Sequence, residues 1–118
     1  MRCPIILVAP KFMKFVNIIN AGIVDTQAIT LFPFIISREP MNEATTRHES
    51  IHILQQAEMY VIFFYLVYLW DYIVGYIKLG NLSEAYYNIR FEQEAYDNHY
   101  DVDYLGNRKP FAWKNYKL

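Results

Sequence analysis

His48-Glu49-Ser50-Ile51-His52 decides the reading of this chain, because H-E-x-x-H on a helix writes two metal ligands and a general base into five residues. Histidines four apart lie about one helical turn from each other, so both imidazoles can reach one metal ion. Glu49 projects beside them, toward a water on that metal. Pro40 closes the preceding segment, and Asn42, Thr45 or Thr46 can cap a helix that carries both histidines and runs on through Gln55, Gln56 and Met59.

Two imidazoles call for a third ligand, and the carboxylates lie in the next polar helix. Gly80-Asn81 breaks the chain, Asn81 or Ser83 can cap, and a helix is expected over roughly Leu82 to His99. At about 100° per residue, Glu92 falls on the apolar side with Leu82, Ala85, Ile89 and Ala95, whereas Arg90, Glu94 and Asp97 fall on the opposite side. An unpaired carboxylate on an apolar face is costly, so Glu92 demands a cation, and a metal held by His48 and His52 supplies one. Glu94 is expected to be solvated near Arg90. The competing reading pairs Glu92 with Arg47 or Arg108 as a buried ion pair and leaves the histidines as ordinary polar residues of a helix flank.

Upstream, Ile5 to Ala9, Phe15 to Ile19 and Thr30 to Ile36 are short runs rich in β-branched and aromatic residues. They predict a small antiparallel sheet, with Pro33 pushing the last strand to an edge or a bulge. The fold class expected is therefore α+β, a single domain over 1–118, with a β-rich part at 1–40 and a helical part carrying the metal site at 41–118. With 118 residues there is no room for a second domain. An open edge strand beside the site could hold a peptide or protein substrate by strand addition.

Between Met59 and Leu79 the only charges are Asp71 and Lys78, so a helix here is long enough to cross a bilayer. Tyr65, Tyr68, Tyr72 and Tyr76 nevertheless recur at helical spacing beside Asp71, while Ile62, Leu66, Leu69, Ile73 and Ile77 form a separate aliphatic stripe. A buried or dimer-forming helix is favoured over a span on that ground, which makes a homodimer a candidate assembly. The tail, from Asp101 onward, packs its aromatics back on the domain and solvates its cations. A formal net charge of −1 and the lack of a dense basic cluster argue against a nucleic-acid partner. One cysteine, Cys3, excludes an internal disulfide and suits a reducing compartment. Lys11 and Lys14 interrupt the apolar start before a signal-peptide core develops, so the default location is cytoplasmic, with membrane association as the alternative.

With these residues in place, the chain resembles a gluzincin, the thermolysin-type zinc peptidase class in which H-E-x-x-H is joined by a glutamate from a later helix. Glu92-Gln93-Glu94-Ala95 is also similar to the E-x-x-A element of membrane-bound prenyl-protein proteases, although Tyr96 stands where those have an aspartate. His48 to Glu58, Ala85 to Asn98 and Tyr104 to Trp113 together look like a family of small bacterial H-E-x-x-H proteins. The resemblance implies a minimal gluzincin-like domain with one zinc per chain on His48, His52 and Glu92, and Glu49 as the catalytic base. Two imidazoles and a carboxylate also suit zinc better than magnesium or calcium. Tyr96, His99 and Tyr100 are the candidates for an oxyanion donor, and Asp71, Asp97 or a backbone carbonyl for a partner to the histidines' second nitrogens. A catalytically inactive metal-stabilised binding module and a small membrane-embedded protease are the alternatives.

Overall fold

The computed structural model describes residues 5–8, 28–37 and 42–118. Among these, three strands of four residues each, β1 (Ile5–Val8), β2 (Ala28–Leu31) and β3 (Phe34–Ser37), precede a succession of helices. The sheet order is β1-β3-β2. β3 pairs in parallel with β1, Ile5 opposite Phe34, and antiparallel with β2, Thr30 opposite Ile35.

This corrects the expected α+β fold with an antiparallel sheet, because helices make up most of the described residues and the short sheet is mixed. The physical reason is visible in β1: Ile5-Ile6-Leu7-Val8 has no polar alternation, and unbroken apolar runs suit parallel pairing. The run Thr30 to Ile36 is not one strand either. Pro33, which has no N–H to give to a ladder, sits with Phe32 in the turn of a hairpin between β2 and β3. The expected strand Phe15 to Ile19 lies outside the described residues.

α1 (Glu43–Glu58) begins at Asn42, whose side-chain oxygen accepts from the Thr45 N–H at 2.8 Å, with Glu43 favourably placed in the first turn. It ends in a Schellman-type turn: the Val61 N–H reaches the Gln56 carbonyl at 2.7 Å, and Tyr60 takes the left-handed conformation usually given to glycine. α2 (Ile62–Leu79) follows and stops at Gly80, which is left-handed at φ 68° and donates its N–H to the Tyr76 carbonyl. Gly75 is where α3 (Leu82–Asn88) lies closest, since a Cβ there would meet the Ala85 Cα at 3.2 Å.

The long helix expected to Leu82–His99 is two helices, α3 and α4 (Arg90–Asn98), broken at Ile89 with ψ 129°. Asp71 makes the break. Its carboxylate, buried on α2, accepts the Arg90 backbone N–H at 3.1 Å and the Arg90 guanidinium at 2.9 and 2.8 Å, and so takes the N–H that a continuous helix would give to the Tyr86 carbonyl. Beyond α4 come a short helix α5 (Tyr104–Asn107) and a turn of 3-10 helix at Ala112–Asn115. The apolar core gathers Phe64, Ile89, Phe91 and Trp113, with Phe91 set between Phe64 at 4.4 Å and Trp113 at 4.7 Å between ring centroids.

The aliphatic stripe of α2 is not buried: Ile62, Leu66, Leu69, Ile73 and Ile77 are all exposed, which corrects the first half of the expectation of a buried or dimer-forming helix. Because Asp71 holds both α2 and the start of α4, Asp71→Ala is expected to lower the unfolding free energy by about 3 kcal/mol, as for other broken buried ion pairs. Urea denaturation followed by circular dichroism measures this, and a loss below about 1 kcal/mol would contradict the role given to the pair.

Candidate metal centre

α1 sets His48 and His52 one turn apart with ring centroids separated by 5.0 Å. α4 brings Glu92 across to them. One oxygen of Glu92, Oε1, lies 3.3 Å from His48 Nε2 and 2.9 Å from His52 Nε2, and all three residues are buried. The three ligand atoms lie within 4.8 Å of one another, so this buried His-His-Glu group could hold a metal ion.

The hydrogen bonds around His52 sharpen that statement. Gln55 donates its amide N–H groups to the Phe91 carbonyl and to Glu94, both at 3.0 Å, which turns its Oε1 toward His52 Nδ1 at 2.7 Å. The Nδ1–H of His52 therefore donates to Gln55, and a neutral imidazole has only a lone pair left at Nε2. That lone pair faces a carboxylate oxygen at 2.9 Å. With Glu92 held ionised by its neighbours, two acceptors do not share a buried contact without a positive charge, either a proton on the ring or a metal ion beside both atoms. The donor set thus fits a cation, and two imidazoles with one carboxylate are ligands of the kind zinc takes.

The electrostatics carry the same demand. Burial works against charge on His52, but the Glu92 carboxylate, helped by Glu49 and Gln55, outweighs it and pushes the pKa up to about 9. Burial likewise opposes charge on Glu92, yet His52 and His48 hold its carboxyl far below the usual range. Burial pushes His48 down, aided by the neighbouring His52 and His99, against the pull of Glu92. Glu49 is driven up to about 7 by burial, against His52 and a 2.6 Å hydrogen bond from the Thr30 hydroxyl.

The residues around the group are placed as follows. His99 Nδ1 lies 2.9 Å from His48 Nδ1, and Arg47 donates to the His99 carbonyl at 2.6 Å. With His48 Nδ1–H donating to His99, the Nε2 lone pair of His48 points toward Glu92. Tyr96 packs its ring edge-on to His48 at 4.5 Å, and its hydroxyl meets that of Tyr86. Tyr68 donates to the second oxygen of Glu92 at 2.8 Å. Asp71 is engaged with Arg90 and does not serve the histidines. Asp97 is exposed, and Tyr100 is exposed with its ring against His99.

Glu94, expected in solvent, is fully buried: Arg108 grips both its oxygens at 2.5 and 3.1 Å, and Tyr104 and Gln55 complete its partners. Arg108 also reaches Glu58 at 2.8 Å, so its partners are Glu94 and Glu58, not Glu92. Sequence reasoning missed Gln55, Thr30, Tyr68 and the Glu94–Arg108 pair. Gln55 alone left a local signal, standing three residues after His52 on the same helix face. No protein-family model, curated protein or solved structure matches this chain.

Replacing the partner that sets the His52 tautomer weakens the site without removing a ligand. Gln55→Leu is expected to loosen zinc binding about tenfold, while Glu92→Ala loses stoichiometric binding. Titration against a competing chelator reads both, with urea unfolding to show that each variant is folded, and an unchanged affinity in Glu92→Ala would remove that residue from the ligand set.

Proposed function

We propose that this protein is a zinc-dependent peptidase of minimal size. The observation that carries the reading is the convergence of His48 and His52 Nε2 with one oxygen of Glu92, in an H-E-x-x-H helix whose own glutamate is also buried. His48, His52 and Glu92 would hold the ion. Zinc bound in such a set acidifies water and polarises a carbonyl.

The chain's own residues supply the rest. Glu49 takes the proton from the attacking water at its carboxylate and delivers it to the leaving amine, and its depth keeps that proton from bulk solvent. The Thr30 hydroxyl bond orients Glu49 Oε2. Gln55 and His99 fix the imidazoles of His52 and His48, and Tyr68 keeps Glu92 turned toward them. This gives His99 and Tyr96 the work of supporting His48, in place of holding an oxyanion.

One observation favours a second reading, a metal-stabilised binding module without turnover. The outer edge of β2 is already occupied: Gln56 donates to the Thr30 carbonyl at 2.9 Å and accepts from the Phe32 N–H at 2.7 Å, and Tyr65 donates to the same carbonyl. A peptide cannot add as a strand at those groups unless Gln56 lets go.

Zinc-loaded wild type and Glu49→Gln, incubated with a diverse peptide library and read by mass spectrometry, separate the two. Cleavage by wild type that falls by about 10²-fold or more in Glu49→Gln at unchanged zinc content is the result expected. Stoichiometric zinc with no cleavage by wild type would leave the binding module as the better reading, and zinc loss in Glu49→Gln equal to that in Glu92→Ala would overturn the division of roles.

A further inference from the structure

α2 is built inside out for a helix surrounded by water. Three of its polar groups face the protein: Asp71 binds Arg90, the Tyr68 hydroxyl binds Glu92 and the Tyr65 hydroxyl binds the Thr30 carbonyl. Its outward ridge is apolar from end to end, through Ile62, Leu66, Leu69, Trp70, Ile73 and Ile77, each between 49% and 76% exposed. The helix is long and apolar enough to cross a membrane, yet only 17% of it is buried within the protein. Exposure on this scale along a continuous ridge marks a surface that meets something apolar.

Two features select what it meets. Apart from the Trp70 indole the ridge offers no hydrogen-bonding side chain along its length of about 27 Å, whereas an interface between proteins carries about ten direct hydrogen bonds among its apolar contacts. A lipid surface asks for no such partners and covers a convex ridge without needing a complementary shape. A transverse orientation is disfavoured by what is attached to α2. The Gly75–Ala85 approach fixes α3 against it, so a span would take Glu84 and the Asp71–Arg90 pair to hydrocarbon depth. Lying in the plane immerses the ridge alone and leaves the exposed Lys78 and the half-exposed Tyr65 and Tyr76 at headgroup level.

We infer that the outward ridge of α2 seats in the plane of a lipid bilayer surface, anchoring the protein on one leaflet with its metal centre on the water side.

Trp70 makes this measurable. It is the ninth of the eighteen residues of α2, so an in-plane helix puts it at a shallow depth and a spanning helix puts it at the bilayer centre. The only other tryptophan, Trp113, is buried in the core and insulated from lipid. The full-length protein is mixed with vesicles of phosphatidylcholine and phosphatidylglycerol brominated either near the headgroup or near the chain end. Quenching of Trp70 emission about twofold stronger by the shallow bromines is expected, and Leu66→Ser with Ile73→Ser is expected to abolish it while the circular dichroism spectrum is retained. Stronger quenching by the deep bromines would establish a span and overturn the inference. Absence of quenching would overturn it too, and a dimer of the same protein by sedimentation would then assign the ridge to a second copy. Equal quenching of the double variant would show that the ridge is not the anchor.

Discussion

His52 Nε2 and a Glu92 carboxylate oxygen, buried together at 2.9 Å, require a positive charge, a proton on the ring or a metal ion, and the surrounding side chains are arranged around that requirement. α1 supplies the nitrogens and α4 the oxygen. Gln55 and His99 turn the imidazoles, Tyr68 turns Glu92, and Arg108 ties α4 to the end of α1.

That arrangement gives the domain an unusually ionic interior. Asp71 is closed by Arg90, Glu94 and Glu58 by Arg108, Glu49 by Thr30, and Glu92 by the histidines and Tyr68. Buried pairs of this kind add little net stability over apolar packing but are severe on any arrangement that separates them. Among the described residues the apolar core is centred on Phe64, Ile89, Phe91 and Trp113. A cation bound at the histidines would therefore contribute to folding itself as well as to chemistry, since His48 and His52 come from one helix and Glu92 from another.

Local signals in the sequence reached as far as one element at a time. Asn42 and Asn81 read as caps and cap their helices, and Gly80 reads as a stop and is one. His48, His52 and Glu92 could be grouped because two share a helix turn and the third stands on an apolar face. What escaped were effects imposed from a distance. The helix break at Ile89 is caused by Asp71, eighteen positions earlier, and Glu94 looked solvated because one helical wheel was drawn across that break and because the tail covers the far side of α4. The parallel partner of β3 escaped because an unbroken apolar run, although it suits parallel pairing, does not name the strand it pairs with. The outward face of α2 escaped because alternating tyrosine and aliphatic stripes do not say which of them faces in.

Both carboxylates of α4 engage α1, Glu92 through the imidazoles and Glu94 through Gln55. Glu94 is also gripped by Arg108, which holds Glu58 as well, so α4 is fixed at two points, the rear pin being Arg108. The reach of the ligand is consequently set by the number of residues between Glu94 and Arg108 and by the registry of Gln55 against both. The turn at Gly80-Asn81 lies outside that frame. Chains that lengthen there would keep the geometry of the cation pocket, whereas a single inserted residue between Asn98 and Tyr104 would slacken the rear pin and let Glu92 drift from the imidazoles.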